Sequence, residues 1–132
     1  MESNELMIGD WVRVKRTQKI VKVKEVKQSC IYTEDNGYEY NEIEPIPLVP
    51  EIVEKNGFKP YVPENHLETV YSYQDVSKAV ADELYALWPY RDGSFYLLLR
   101  IDGKDMVRMD VHYIHQLQHA FRLCGIEKEI EL

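Results

Sequence analysis

Hydrophobic and polar positions follow two different rhythms along this chain, and the change falls at Pro45-Ile-Pro-Leu-Val-Pro50. In Trp11-Val-Arg-Val-Lys15, Val12 and Val14 share one side while Arg13 and Lys15 share the other. Ile20-Val-Lys-Val-Lys24 repeats the arrangement, with Val21 and Val23 inward and Lys22 and Lys24 outward. Alternation with one charged side predicts antiparallel strands that cover a core on a single face. Cys30-Ile-Tyr-Thr33 and Gly37-Tyr-Glu-Tyr40 predict two more strands, with Asn36-Gly37 as a tight turn at positive φ. Residues 44–48 add a last short strand whose prolines require an edge, because proline has no N–H to donate. Four or five short strands within about 48 residues cannot stack two full sheets, so a small curled barrel is the expected closure.

Beyond the proline run the pattern becomes mixed. Pro50 followed by Glu51 and closed by Gly57 predicts a helix of about two turns that buries Ile52 and Val53. Residues 59–72 contain Pro60 and Pro63 with little periodicity, and read as a loop or irregular edge. Residues 74–87 place Val76, Ala79, Val80, Leu84 and Leu87 on one helical stripe. Ser94-Phe-Tyr-Leu-Leu-Leu-Arg100 reads as a buried strand that turns at Asp102-Gly103, giving a hairpin over 94–110. Asp110 is the expected cap of a helix over 111–124, with Ile114, Leu117, Phe121 and Cys124 on its apolar stripe. The expected fold is α+β: an SH3-like small antiparallel β-barrel over 1–49, then an α+β unit over 50–132 whose last helix covers the hairpin.

Composition changes this picture in two ways. A formal charge of −7 argues against the whole molecule being a general nucleic-acid binder. Yet from Arg13 to Lys27 there are seven basic residues against one acidic residue, Glu25. Two cysteines, Cys30 and Cys124, fit a reducing cytoplasm and read as plain buried thiols. No apolar run approaches the roughly 20 residues that span a bilayer, so no membrane role is expected.

Candidate chemistry follows from the stripe and its neighbours. Arg13, Lys15, Lys22 and Lys24 beside Trp11, Tyr32, Tyr38 and Tyr40 form the candidate binding set. Aromatics among cations suit stacking plus phosphate attraction, which makes nucleic acid the alternative partner. A solvated outer face and a protein-binding surface are the other readings. His112, His115 and His119 are weak metal candidates, since His at i and i+4 can share a zinc ion. His115-Gln-Leu-Gln-His119 has glutamine where a zinc protease has its glutamate base, and the face lies opposite the apolar stripe, where solvent is expected. There is no nucleophile elbow, phosphate loop, dinucleotide fingerprint or Cys-x-x-Cys pair, so neither enzyme nor cofactor is expected. Ten tyrosines and two tryptophans favour a non-enzymatic protein that binds a partner or itself.

Two resemblances add to this. Ile8-Gly-Asp-Trp-Val12 resembles the first strand of SH3-like barrels, where a glycine-aspartate turn feeds a valine-rich strand. Ile43-Glu-Pro-Ile-Pro-Leu48, Glu51-Ile-Val-Glu-Lys-Asn-Gly-Phe58 and Tyr113-Ile-His-Gln-Leu-Gln-His-Ala-Phe-Arg-Leu-Cys-Gly125 resemble a family of short proteins carried by prophages and other mobile elements of anaerobic gut bacteria. The resemblance runs from the Ile8 opening to the last helix and lapses from Pro60 to about Pro89, which reads as an insertion. It implies an intracellular bacterial or phage setting and brings no activity or site residue with it.

Overall fold

Valines and isoleucines that alternate with charge build the first set of strands. The computed structural model describes residues 5–61, 69–73, 83–89, 92–101, 104–123 and 128–132. β1 (Trp11–Val14), β2 (Ile20–Lys22) and β6 (Ile43–Pro45) form one antiparallel sheet in the order β2-β1-β6. β3 (Glu25–Val26), β4 (Cys30–Tyr32) and β5 (Gly37–Glu39) form another in the order β3-β4-β5. Val12, Val14, Val21, Val23, Ile31 and Ile43 are buried together with Leu6, and Tyr38 and Tyr40 pack against them. Pro45 sits on the edge strand β6, opposite Val12, where its missing N–H costs no ladder bond. The closed barrel expected from the sequence is not formed. Strands of two and three residues leave two separate sheets over one core.

The Asn36-Gly37 turn is also built differently. Gly37 is a strand residue, absent from the positive-φ positions, and its ladder partner is Tyr32. A Cβ on Gly37 would stand 2.9 Å from Tyr32 Cε1, so a larger residue here would have to displace that exposed ring. The turn itself is held by Thr33, whose N–H donates to Asn36 O at 2.7 Å and whose Oγ1 accepts from Asn36 N–H at 3.2 Å.

By contact grouping the chain divides into two units, and the last helix belongs to the first. Described residues up to Pro47 group with those from Tyr113 to Glu129; Leu48 to His112 group with Ile130 to Leu132. The grouping puts the last helix with the first strands, whereas the sequence reading places it in the unit over 50–132 with the hairpin. α2 (Ile114–Leu123) packs on β1 and buries His115 and Gln118 in addition to Ile114, Leu117, Ala120 and Phe121. Polar groups on so much of its circumference need polar partners, and the segment before β1 supplies one in Asp10. The helix starts four residues beyond the Asp110 cap expected for it, because β11 (Lys104–Val111) runs on through Asp110. Its first turn is closed by Gln116, whose Oε1 accepts from Tyr113 N–H at 3.1 Å, one half of a capping box. Cys124 lies outside the described residues, and Cys30 is half-buried.

The second unit opens with α1 (Pro50–Lys55), which has proline in its first turn and ends before Gly57 at φ 97°. Phe58 is buried behind it. β7 (Phe58–Tyr61), β8 (Val70–Tyr73), β9 (Glu83–Pro89), β10 (Phe95–Ile101) and β11 form one antiparallel sheet in the order β11-β10-β9-β8-β7. β10 and β11 are the expected hairpin, with a register shift between Leu99 and Arg100; Asp102-Gly103 lies outside the described residues. Two expectations change. The loop over 59–72 contains β7 and β8, and Pro60 is tolerated because β7 is an edge strand. The helix over 74–87 ends in β9, a full partner of β10, while 74–82 lie outside the described residues. Asn56 ties the tail to this unit: its Nδ2–H donates to Glu131 O and its Oδ1 accepts from Glu131 N–H, both at 2.7 Å.

Candidate functional site

β1 and β2 pair so that Trp11 stands opposite Lys22 and Arg13 opposite Ile20 on the side away from the core. Valines at the intervening positions are buried, which fixes the register and turns these four side chains outward. Lys24 N–H donates to Tyr32 O at 2.8 Å, bringing the end of β2 beside the β4–β5 turn. The result is a groove of about 260 Å³ lined by Trp11, Ile20 and Val21, by Lys19, Lys22 and Lys24, and by Thr33, Glu34 and Asp35. That volume lies below the 300–1,000 Å³ usual for small-molecule pockets and suits a short run of side chains.

Its electrostatics come from cations left over after local pairing. Arg13 Nε lies 2.7 Å from Glu44 Oε1, and this bond and charge hold the Glu44 carboxyl below the usual range. Lys27 pairs with Glu25 at 2.9 Å, which raises the Lys27 ammonium above its ordinary value. Lys22 Nζ sits 5.5 Å from the Trp11 ring centroid and 3.4 Å from Glu129 Oε2. Among the described residues, Lys15, Arg16, Lys19 and Lys24 form no ion pair. Two of those four, Lys19 and Lys24, face the groove. Ile20 is 45% exposed beside them, an apolar side chain without cover.

Of the eight candidate binding residues, the structure gathers Trp11, Lys22 and Lys24. Arg13 is taken up by Glu44, and Lys15 lies at the far end of β1. Tyr32 is exposed but its ring crosses Gly37. Tyr38 and Tyr40 cap the core, and the Tyr40 hydroxyl donates to Lys27 O; burial raises its pKa. Lys19, Ile20, Glu34 and Asp35 were not among the candidates. Ile20 begins the strand containing Lys22, so its outward position was readable, whereas Glu34 and Asp35 arrive through a turn.

The histidines form a different kind of site from the one anticipated. His112 is exposed ahead of the helix, His115 is only 3% exposed, and His119 is half-buried. His112 thus faces solvent as expected, whereas His115 is buried and His119 partly so, which corrects the expectation of a solvent-facing row for those two. His115 and His119 rings do meet, at 5.6 Å between centroids, and Tyr113 stacks on His115 at 5.9 Å. His119 Nε2 lies 2.6 Å from Oδ2 of Asp10, which is fully buried and, as a carboxylate, can only accept. Asp10 Oδ2 also accepts from Met7 N–H at 2.7 Å, and Arg122 Nη1 stands 3.6 Å from Oδ1. Arg122 Nη2–H donates to Ile8 O at 3.0 Å. Among the described residues no group of three His, Cys, Asp or Glu has metal-holding geometry. The cluster is a polar pin between the segment before β1 and α2.

No protein-family model, curated protein or solved structure gives a significant match to this chain. No helix among the described residues is long and apolar enough to cross a membrane.

Proposed function

We propose that the first unit is a non-enzymatic binding module whose β1–β2 groove takes an acidic segment of a partner protein bearing one apolar side chain. The observation that carries this reading is the groove lining. Trp11 and Ile20 offer apolar contact, while Lys19, Lys22 and Lys24 supply charge for carboxylates. Tryptophan combines a large apolar area with few rotatable bonds, which suits an interface anchor. Glu34 and Asp35 in the same lining favour a peptide, with its amide donors, over a phosphate backbone. An accessory role in the cytoplasm of a bacterium carrying a phage or mobile element completes the proposal, as does a relation to SH3-like modules.

Titration of a partner segment into the purified protein tests it. Trp11→Ala should weaken binding by about thirtyfold or more, as for a tryptophan hot spot. Lys24→Glu should weaken it by about tenfold, with circular dichroism unchanged in both variants. Single-stranded DNA and RNA oligonucleotides at low salt form the opposing arm. Micromolar binding to them that falls steeply with salt and disappears in Lys24→Glu would replace the peptide reading with nucleic-acid engagement.

A further inference from the structure

We propose that His115, His119 and Asp10 form an acid-sensitive latch, in which protonation of the enclosed His115 imidazole loosens α2 from β1 and the segment before it. This goes beyond the groove and does not depend on it. His115 is 3% exposed, and among the described residues its Nδ1 has no hydrogen-bond partner. Tyr113 covers one face of the ring and His119 meets it edge-on. A proton on His115 therefore places a charge where neither water nor an acceptor at Nδ1 can receive it. The nearby Asp10 carboxylate accepts at Oδ2 from His119 and from Met7 N–H, and its Oδ1 stands 3.6 Å from Arg122 Nη1, so neither oxygen bonds His115.

The charged groups that act on His115 are Asp10 and Glu5 from the segment before β1 and His119 from the next turn of α2. Arg122 faces Asp10 at 3.6 Å, and the Lys22–Glu129 pair adds no net charge. Burial is the dominant influence and holds the imidazole below the ordinary 6.5; Asp10 and Glu5 pull it up, and His119 pushes it down. Well above pH 6.5 both folded and unfolded chains keep this ring neutral, and it contributes nothing to pH dependence. Below that value the unfolded chain binds the proton first, so stability falls as pH falls until the folded ring also titrates. This is opposite in sign to a histidine stabilised by an ion pair.

The test is a ring-proton NMR titration of the intact protein with urea unfolding between about pH 7.5 and about pH 5. The His115 ring should titrate below a free histidine, and the unfolding constant should rise by up to about tenfold per pH unit in the acid limb. His115→Phe keeps a flat ring and should flatten that limb; His115→Gln serves if the phenylalanine variant does not fold. A His115 ring that titrates like free histidine, or acid limbs equally steep in wild type and variant, would overturn the proposal. The ring titration of the wild type needs no variant and decides by itself.

Discussion

Around Asp10 a buried carboxylate, two imidazoles and a guanidinium meet between the segment before β1 and α2. Around Trp11, lysines and two carboxylates stand open on the outside of β1 and β2. Both regions belong to the first unit and draw on the same strand start, Asp10-Trp11. In the enclosed region charge is matched to charge, so the residues are spent on holding α2. In the open region Lys19 and Lys24 form no ion pair among the described residues, and an apolar Ile20 lies uncovered. Adjacent residues thus divide into a pin and an open outer face because alternation along the extended backbone sends Asp10 and Trp11 to opposite sides.

The largest effect should come from breaking the enclosed side. Asp10→Ala leaves Arg122 and His119 without their carboxylate and should cost about 3–5 kcal/mol in urea unfolding of the first unit. Lys24→Ala, on the open side, should stay within about 0.5 kcal/mol of wild type. Equal costs for the two would erase the distinction. An intermediate effect is expected outside both regions, at Asn56, the buried side chain that binds the tail. Asn56→Ala should cost about 1–3 kcal/mol, detected as faster amide exchange in α1 and β7 with α2 unchanged. A loss spread evenly over α1, β7 and α2 would contradict the division into units. The smallest effect belongs to Glu129, which shares Lys22 with the groove. Glu129→Gln should leave stability unchanged and raise affinity for an acidic segment about two- to threefold, by releasing a partly screened ion pair.

The open side was largely legible in the sequence. Strict alternation in Trp11-Val-Arg-Val and Ile20-Val-Lys-Val fixes which residues face out, because burying the valines admits one register only. The enclosed side was not. Asp10 and His119 are 109 positions apart, and no local spacing announces that they meet. Their place off the Ile114–Phe121 stripe predicts that His115 and His119 face solvent. That inference holds for a helix covered on one side and fails for one buried on several. In the second unit, Glu83-Leu-Tyr-Ala-Leu-Trp-Pro89 satisfies a helical stripe and a strand alternation equally well. Its tyrosine and tryptophan, both at home on a pleated sheet, were the signal that separated them. Pro60 hid β7 for a related reason, since proline excludes a central strand and says nothing against an edge one.

Site-specific photocrosslinking from two exposed apolar positions tests the central claim most directly: Ile20 in the groove, 45% exposed, and Val49 in the second unit, 38% exposed. With a benzophenone side chain at each position in turn, the Ile20 site should capture one identifiable acidic protein segment. That capture should be lost with Trp11→Ala and be absent from the Val49 site. Equal capture from both sites, capture of nucleic acid, or capture indifferent to Trp11 would contradict the groove as the binding face.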